Sequence, residues 1–265
     1  MERTLTMAKQ QELALKEKTE VASLLDAAMD EDAGKGISSQ AADNLVSLMY
    51  VLQGLSPQIE EANPSYIPGA KAGDIWLRNF DDPIVKGSQG ILFQPCARYE
   101  DYVEWTPRER GGGFVERHEK LPANAIRQSA IKVTMPNGNE LRETRYVAGL
   151  VHLSDGRRVP FVIPFSSTGH TVARGWNTAM SQHVDKKGRI MPAFRQLWLL
   201  KTRQRSNTKG KWYVLEPVFE GEVTTIDDYN RGKALWQAFD SGQKRPEAPM
   251  DEGDGAEDAD ADAPM

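Results

Sequence analysis

The chain has 265 residues, 39% of them hydrophobic and 27% charged, with a formal net charge of −5. That length holds one large domain or two small ones. The single cysteine, Cys96, excludes a disulfide framework and any zinc site built on cysteines. The N-terminus lacks the apolar core of a secretory signal, and no apolar run reaches the length of a membrane span. The expectation is a soluble cytoplasmic protein.

The charge is segregated. Residues 1–61 carry 5 basic and 11 acidic groups, and residues 251–265 carry 7 acidic groups and no base. Residues 62–250 therefore hold 28 basic and 20 acidic groups, a net of +8. A basic middle between acidic ends suggests a surface that meets a polyanion, and an end able to compete for it.

Residues 4–30 have helical composition, without Gly or Pro, and Leu13, Val21, Leu24, Leu25 and Ala28 form a loose apolar face. Residues 30–40 read as a linker, and residues 1–38 as a helical, flexible extension. Residues 41–61 fit either a helix or a buried strand over Leu48–Leu52, ended by Pro57. From Asp74 onward the pattern is mostly strand. Asp74–Phe80 is short and apolar. Ile91–Trp105 reads as two strands around Tyr99–Asp101, with Ile91, Phe93 and Ala97 on one face and Pro95 at an edge or bulge. Thr106–Gly113 is a loop bearing Arg108 and Arg110. Strands at Ala130–Met135 and Arg145–Leu153 flank a hairpin, with Asn137-Gly138 as its type I′ signal. Arg158–Phe165 is a further strand.

Thr168–Val184 reads as a helix whose stripe is Val172, Trp176, Met180 and Val184. Phe194–Arg203 and Lys211–Val223 are strands joined by a polar tip. In the second, Tyr213, Leu215, Pro217 and Phe219 share one face and Trp212, Val214 and Glu216 the other. Thr225–Phe239 closes with a helix docking through Ile226, Tyr229, Lys233, Trp236 and Phe239. Residues 251–265 are acidic and of low complexity, and lack the apolar content to fold alone. Many short strands and one or two packed helices imply a β-rich α+β fold, an antiparallel OB-fold-like small barrel. The domain spans 39–242, and a disordered acidic tail spans 243–265.

No enzyme constellation stands out. His118, His152, His170 and His183 are scattered, and no nucleotide-binding glycine motif or nucleophile elbow appears. Glu116 and Glu119, with Lys120, loosely fit a nuclease metal cluster but read more simply as a charged hairpin edge. The expectation is a binding protein, not an enzyme, without cofactor or metal.

Lys186 to Trp212 carries the binding signal. Lys186, Lys187, Arg189, Arg195, Lys201, Arg203, Arg205, Lys209 and Lys211 lie in a stretch without Asp or Glu, interleaved with Phe194, Trp198 and Trp212. Cations track phosphates and aromatic faces accept stacked bases. Alternation places Trp198 in the core and leaves Trp212 as the better stacking residue. Tyr102 and Trp105, beside Arg108 and Arg110, form a second candidate group.

A basic, aromatic-bearing β domain with an acidic C-terminal tail, Asp251 to Asp262, resembles the single-stranded DNA-binding proteins of replication and recombination, especially those of bacteriophages. The segments LMYVLQGLSPQIEEANPSYIPGAKAGDIW and FQPCARYEDYVEWTPRERGGGF resemble a recurrent phage replication-module protein. The resemblance implies single-stranded DNA as partner, with replication proteins recruited through the tail. Two alternatives stand beside it. One is a metal-dependent nuclease or annealing enzyme acting on DNA, with Glu116 and Glu119 as ligands. The other is a DNA-mimicking inhibitor of a host enzyme.

Overall fold

The computed structural model describes residues 45–129, 132–208 and 210–249. The expected N-terminal extension 1–38 and the tail from Asp251 onward lie outside the described residues. The strands, in chain order, are β1 (Leu45–Val46), β2 (Met49–Val51), β3 (Ile75–Leu77), β4 (Ile84–Val85), β5 (Ile91–Trp105), β6 (Phe114–His118), β7 (Ile126–Arg127), β8 (Val133–Thr134), β9 (Glu140–His152) and β10 (Arg158–Phe165). They continue with β11 (Gln196–Asn207), β12 (Gly210–Glu222) and β13 (Arg245–Pro246), and the two helices are α1 (Gly169–Gln182) and α2 (Ile226–Asp240).

Residues 45–61 therefore resolve toward the strand reading. Leu48, Met49 and Leu52 are all buried, and the neighbours Leu48 and Met49 enter two different packing layers, as successive strand residues do.

The long antiparallel pair β5–β9 is the spine. At one end β5 is flanked by β11 and β12, and β9 by β10; at the other, β6 joins β5 while β8 and β7 join β9. Strands β2, β3 and β4 form a separate small sheet, linked to β10 by a parallel bridge between Leu48 and Val162. The fold is β-rich with mainly antiparallel sheets and two described helices. The main sheet is open, which corrects the expected small barrel. Its hydrogen-bonded path runs from β12 to β7, and these two end strands do not pair with each other.

β5 is one 15-residue strand, where two strands were expected. Pro95 is tolerated because the register with β9 shifts between Pro95 and Ala97, and a bulge is a place where a missing N–H costs no ladder bond. The bulge also overturns the alternation expected through this strand. Ile91 and Phe93 enter the core under α1, while Cys96 and Ala97 both enter the packing on the other face. The Asn137 turn is likewise not type I′. Gly138 has φ 81° while Asn137 is absent from the positive-φ residues, and Gly138 N donates to Met135 O at 2.8 Å. This is a type I turn closed by a left-handed glycine.

Each helix covers one face of the sheet. α1 buries Ala173, Trp176 and Met180 against Phe93, Val147, Val151, Phe161 and Trp198. Val184, expected on that stripe, lies past the helix end and is 52% exposed. α2 docks on the opposite face beside Cys96 and Leu150 through Leu235 and Phe239. Its buried residues are Asp228, Gly232 and Leu235, whereas Ile226 and Trp236 are exposed. The expected docking face was thus displaced, for a polar reason.

Gln94, fully buried, donates from Nε2 to Phe194 O (2.6 Å) and Asp228 O (2.9 Å). Its Oε1 accepts from His152 Nε2 at 3.0 Å. Arg158 clamps Asp228 at 2.8 Å, and Thr225 caps the helix through Asp228 N. A glycine at 232 is required because a Cβ there would overlap the Gln94 amide.

Burial, and then the Arg158 charge, push the His152 pKa down to about 4. The unfolded chain, at about 6.5, binds more protons between those values, so stability is lost as pH falls through that window. The melting temperature of wild type should therefore fall more steeply from pH 6.5 to 4 than that of His152→Gln. Parallel curves would contradict this assignment.

Among the described residues, no helix is long and apolar enough to cross a membrane.

Candidate nucleic-acid interface

β11 and β12 pair along their whole length, from Gln196↔Glu222 to Asn207↔Gly210. Only Trp198, Leu200 and the intervening Leu199 also pair with β5, so the far half projects as a two-stranded arm. Its root is fixed to the small sheet. Gln53 Nε2 donates to Tyr213 O, and Tyr213 N donates to Gln53 Oε1, both at 2.9 Å. Thr202 Oγ1 donates to Gly73 O at 2.6 Å. A side-chain amide here takes the place of a neighbouring strand.

Register then assigns the faces. Trp198 is 3% exposed and, with Leu200 and Leu215, belongs to the core. Lys201, Arg203 and Arg205 share the other face with Glu216, Val214 and Trp212, and Arg205 stands directly opposite Trp212. Lys211 projects on the face of Ser206. Arg203, Arg205 and Lys211 are exposed. Lys209 lies outside the described residues.

The expected basic stretch is not one surface. Lys186, Lys187, Arg189 and Arg195 sit at the base of the hairpin, while Arg203, Arg205 and Lys211 sit near its tip. Positions 196 and 205 are nine residue steps apart along the strand, roughly 30 Å at about 3.3 Å per step. Carboxylates from outside the stretch also neutralise part of it. Arg189 pairs with Asp185 (2.6 Å), Arg195 with Glu222 (2.6 Å) and Arg203 with Glu216 (3.1 Å). The hydrogen bonds from Arg189 hold the Asp185 carboxyl near 2. Arg205, Lys211, Lys186 and Lys187 have no such carboxylate partner among the described residues.

Trp212 opens onto a cleft of about 130 Å³ whose wall also includes Trp105, Tyr50, Arg142 and the turn Ser166–Gly169. The two tryptophans expected to stack bases are thus brought to one concavity, although they come from sequence positions far apart. Trp105 is 6% exposed. It packs edge-on to Phe114 at 6.1 Å and lies under the Arg142 guanidinium at 5.7 Å. It is a wall of the cleft, not a projecting platform. The buried Nε1 of Trp212 has no acceptor among the described residues.

Tyr102 is not in the cleft wall. It is half-buried, with His118 and Glu143 as its strand neighbours. Arg108 is exposed in a short 3-10 turn. Arg110 is anchored, donating to Asn137 O (2.9 Å) and Asn139 Oδ1 (2.7 Å). Sequence reading missed Arg142 and Gln53, because a cation two residues from an acid and a polar side chain after a strand carry no periodic signal.

Residues 245–249 lead to the same cleft. β13 pairs in parallel with β1. Arg117 donates to Pro246 O and Glu247 O, and Arg78 donates to Ala248 O at 2.9 Å. Glu247 accepts from Asn79 (2.7 Å) and Ser47 (3.1 Å). This strap carries Pro249 to the cleft wall.

A second polar group lies on β5 and β6. Glu104, 4% exposed, and the exposed Glu116 are direct cross-strand partners, with His118 two residues beyond. Glu119, expected beside Glu116, instead reaches Arg245 at 3.4 Å.

A family model described as Pam3 phage gp34-like protein matches residues 15–245, and the chain belongs to that phage protein family. A search of the curated proteins and a search of the solved structures found no match.

Proposed function

We propose that this phage-family chain binds single-stranded DNA without sequence preference, coating and protecting it during replication or recombination. The observation that carries this reading is the cross-strand pairing of Arg205 with Trp212 on an exposed arm, at the mouth of the cleft that also holds Trp105. A cation beside an aromatic face serves a flexible strand in two ways. The cation meets the phosphate and the ring takes the base, whatever its identity. Among the described residues the arm has no ladder partner near its tip, so a strand can approach both of its faces.

Binding of oligo-dT followed by tryptophan emission and anisotropy tests this. Affinity should fall linearly on a log–log salt plot, by about 0.7 per phosphate contact. No response at low salt would end the reading.

The acidic tail gives a second test. Its seven carboxylates follow directly on a strap whose Pro249 lines the cleft. In this reading the tail competes with DNA for the arm and cleft, and is offered to replication proteins when displaced. Deleting residues 251–265 should tighten oligo-dT binding, most strongly at low salt. Unchanged affinity would remove the competition.

A further inference from the structure

We propose that Glu104, Glu116 and His118 form a binding site for one divalent transition-metal ion with mixed oxygen and nitrogen donors. The site is separate from the arm and does not rest on its DNA-binding reading.

The register sets two carboxylates directly opposite each other on neighbouring antiparallel strands. Like charges so placed repel, and Glu104 is almost fully removed from water, so little solvent screens it. A cation between the two carboxylates would relieve that repulsion.

The Glu104 carboxylate is also oriented as a ligand would be. Its Oε1 accepts from Asn139 Nδ2 (2.5 Å) and Asn137 Nδ2 (3.2 Å). Its Oε2 is hydrogen-bonded to His118 Nε2 at 2.9 Å, a contact that an ion held by both groups would replace. The two asparagines are fixed in turn by Arg110. Outer groups that lock one carboxylate oxygen and leave the other for the metal are a recurring feature of metal sites.

One donor atom from each residue lies within 4.8 Å of the others. Ligand bonds of about 2.0–2.2 Å bring donors within about 4.4 Å of one another, a closure that rotation of the exposed Glu116 supplies. Because Glu116 faces solvent, water can complete the coordination and the ion can enter. The imidazole nitrogen favours Zn²⁺ over Mg²⁺ or Ca²⁺, and the two carboxylates with water also suit Mn²⁺.

Isothermal titration of the tag-free full chain, stripped with EDTA and titrated at neutral pH with ZnCl₂ or MnCl₂, tests this. One ion per chain is expected. Glu116→Gln and His118→Gln should each weaken uptake at least tenfold, Asn139→Ala by about 10- to 100-fold, and Glu119→Gln should change nothing. Glu116 is exposed, so its variant keeps the fold, which circular dichroism verifies. No uptake by wild type, or equal affinity in Glu116→Gln, would overturn the site.

Discussion

Trp212→Ala should weaken oligo-dT binding by about 5- to 150-fold, the range that corresponds to roughly 1–3 kcal/mol of stacking per base. The salt slope should stay as in wild type, because the substitution removes no cation from a phosphate. Arg205→Ala combined with Lys211→Ala should do the reverse in kind. Affinity falls and the salt slope becomes shallower by about 0.7 for each phosphate that is no longer neutralised. Arg195→Ala should change little, since Glu222 already neutralises that guanidinium. Wild-type affinity in Trp212→Ala would remove the arm and its cleft from the interface. The three variants are informative together because they divide stacking, phosphate binding and internal ion pairing among residues of one hairpin.

Gly149→Ala should be the most damaging small substitution in the spine. Gly149 pairs with Pro95 at the β5 bulge, and a Cβ there would overlap the Gln94 carbonyl oxygen and the Phe93 ring. One of these is backbone and the other is fully buried, so neither can swing aside. Over-packing of this kind costs about 1–3 kcal/mol, occasionally more. The strain falls on Gln94, whose side chain joins β5 to α2 and to His152. Gly175→Ala is the contrasting case. It lies in α1 with nothing within 4 Å of the added carbon, and should stabilise by up to about 1 kcal/mol. Urea denaturation of the pair reads both signs. An unchanged midpoint in Gly149→Ala would contradict the close packing described at the bulge.

The strand content, both described helices and the burial of Trp198 were legible from alternation and period alone. What escaped were the places where a polar contact replaces an apolar one. α2 docks through Asp228 and Gly232 because Arg158 and Gln94 meet them, and no hydrophobic pattern reports that. The bulge at Pro95 was signalled, but its effect was not. One extra residue reversed the inside–outside parity of everything after it in β5. The candidate interface shows the same limit. A window without Asp or Glu suggested nine available cations, yet Asp185, Glu216 and Glu222 reach in from outside it. That Trp105 and Trp212 line one cleft depends on tertiary packing, which local sequence does not encode. Glu104 was passed over because its partners, Asn137 and Asn139, come from a turn more than thirty residues away.

Photo-crosslinking of oligo-dT to the full chain, followed by peptide mapping, tests the central claim most directly. The account predicts crosslinks concentrated in the arm, residues 203–213, with a second group at Trp105 or Arg142, and none at Arg189 or Arg195. Absence of crosslinks, or crosslinks confined to the hairpin base at 186–195, would contradict it.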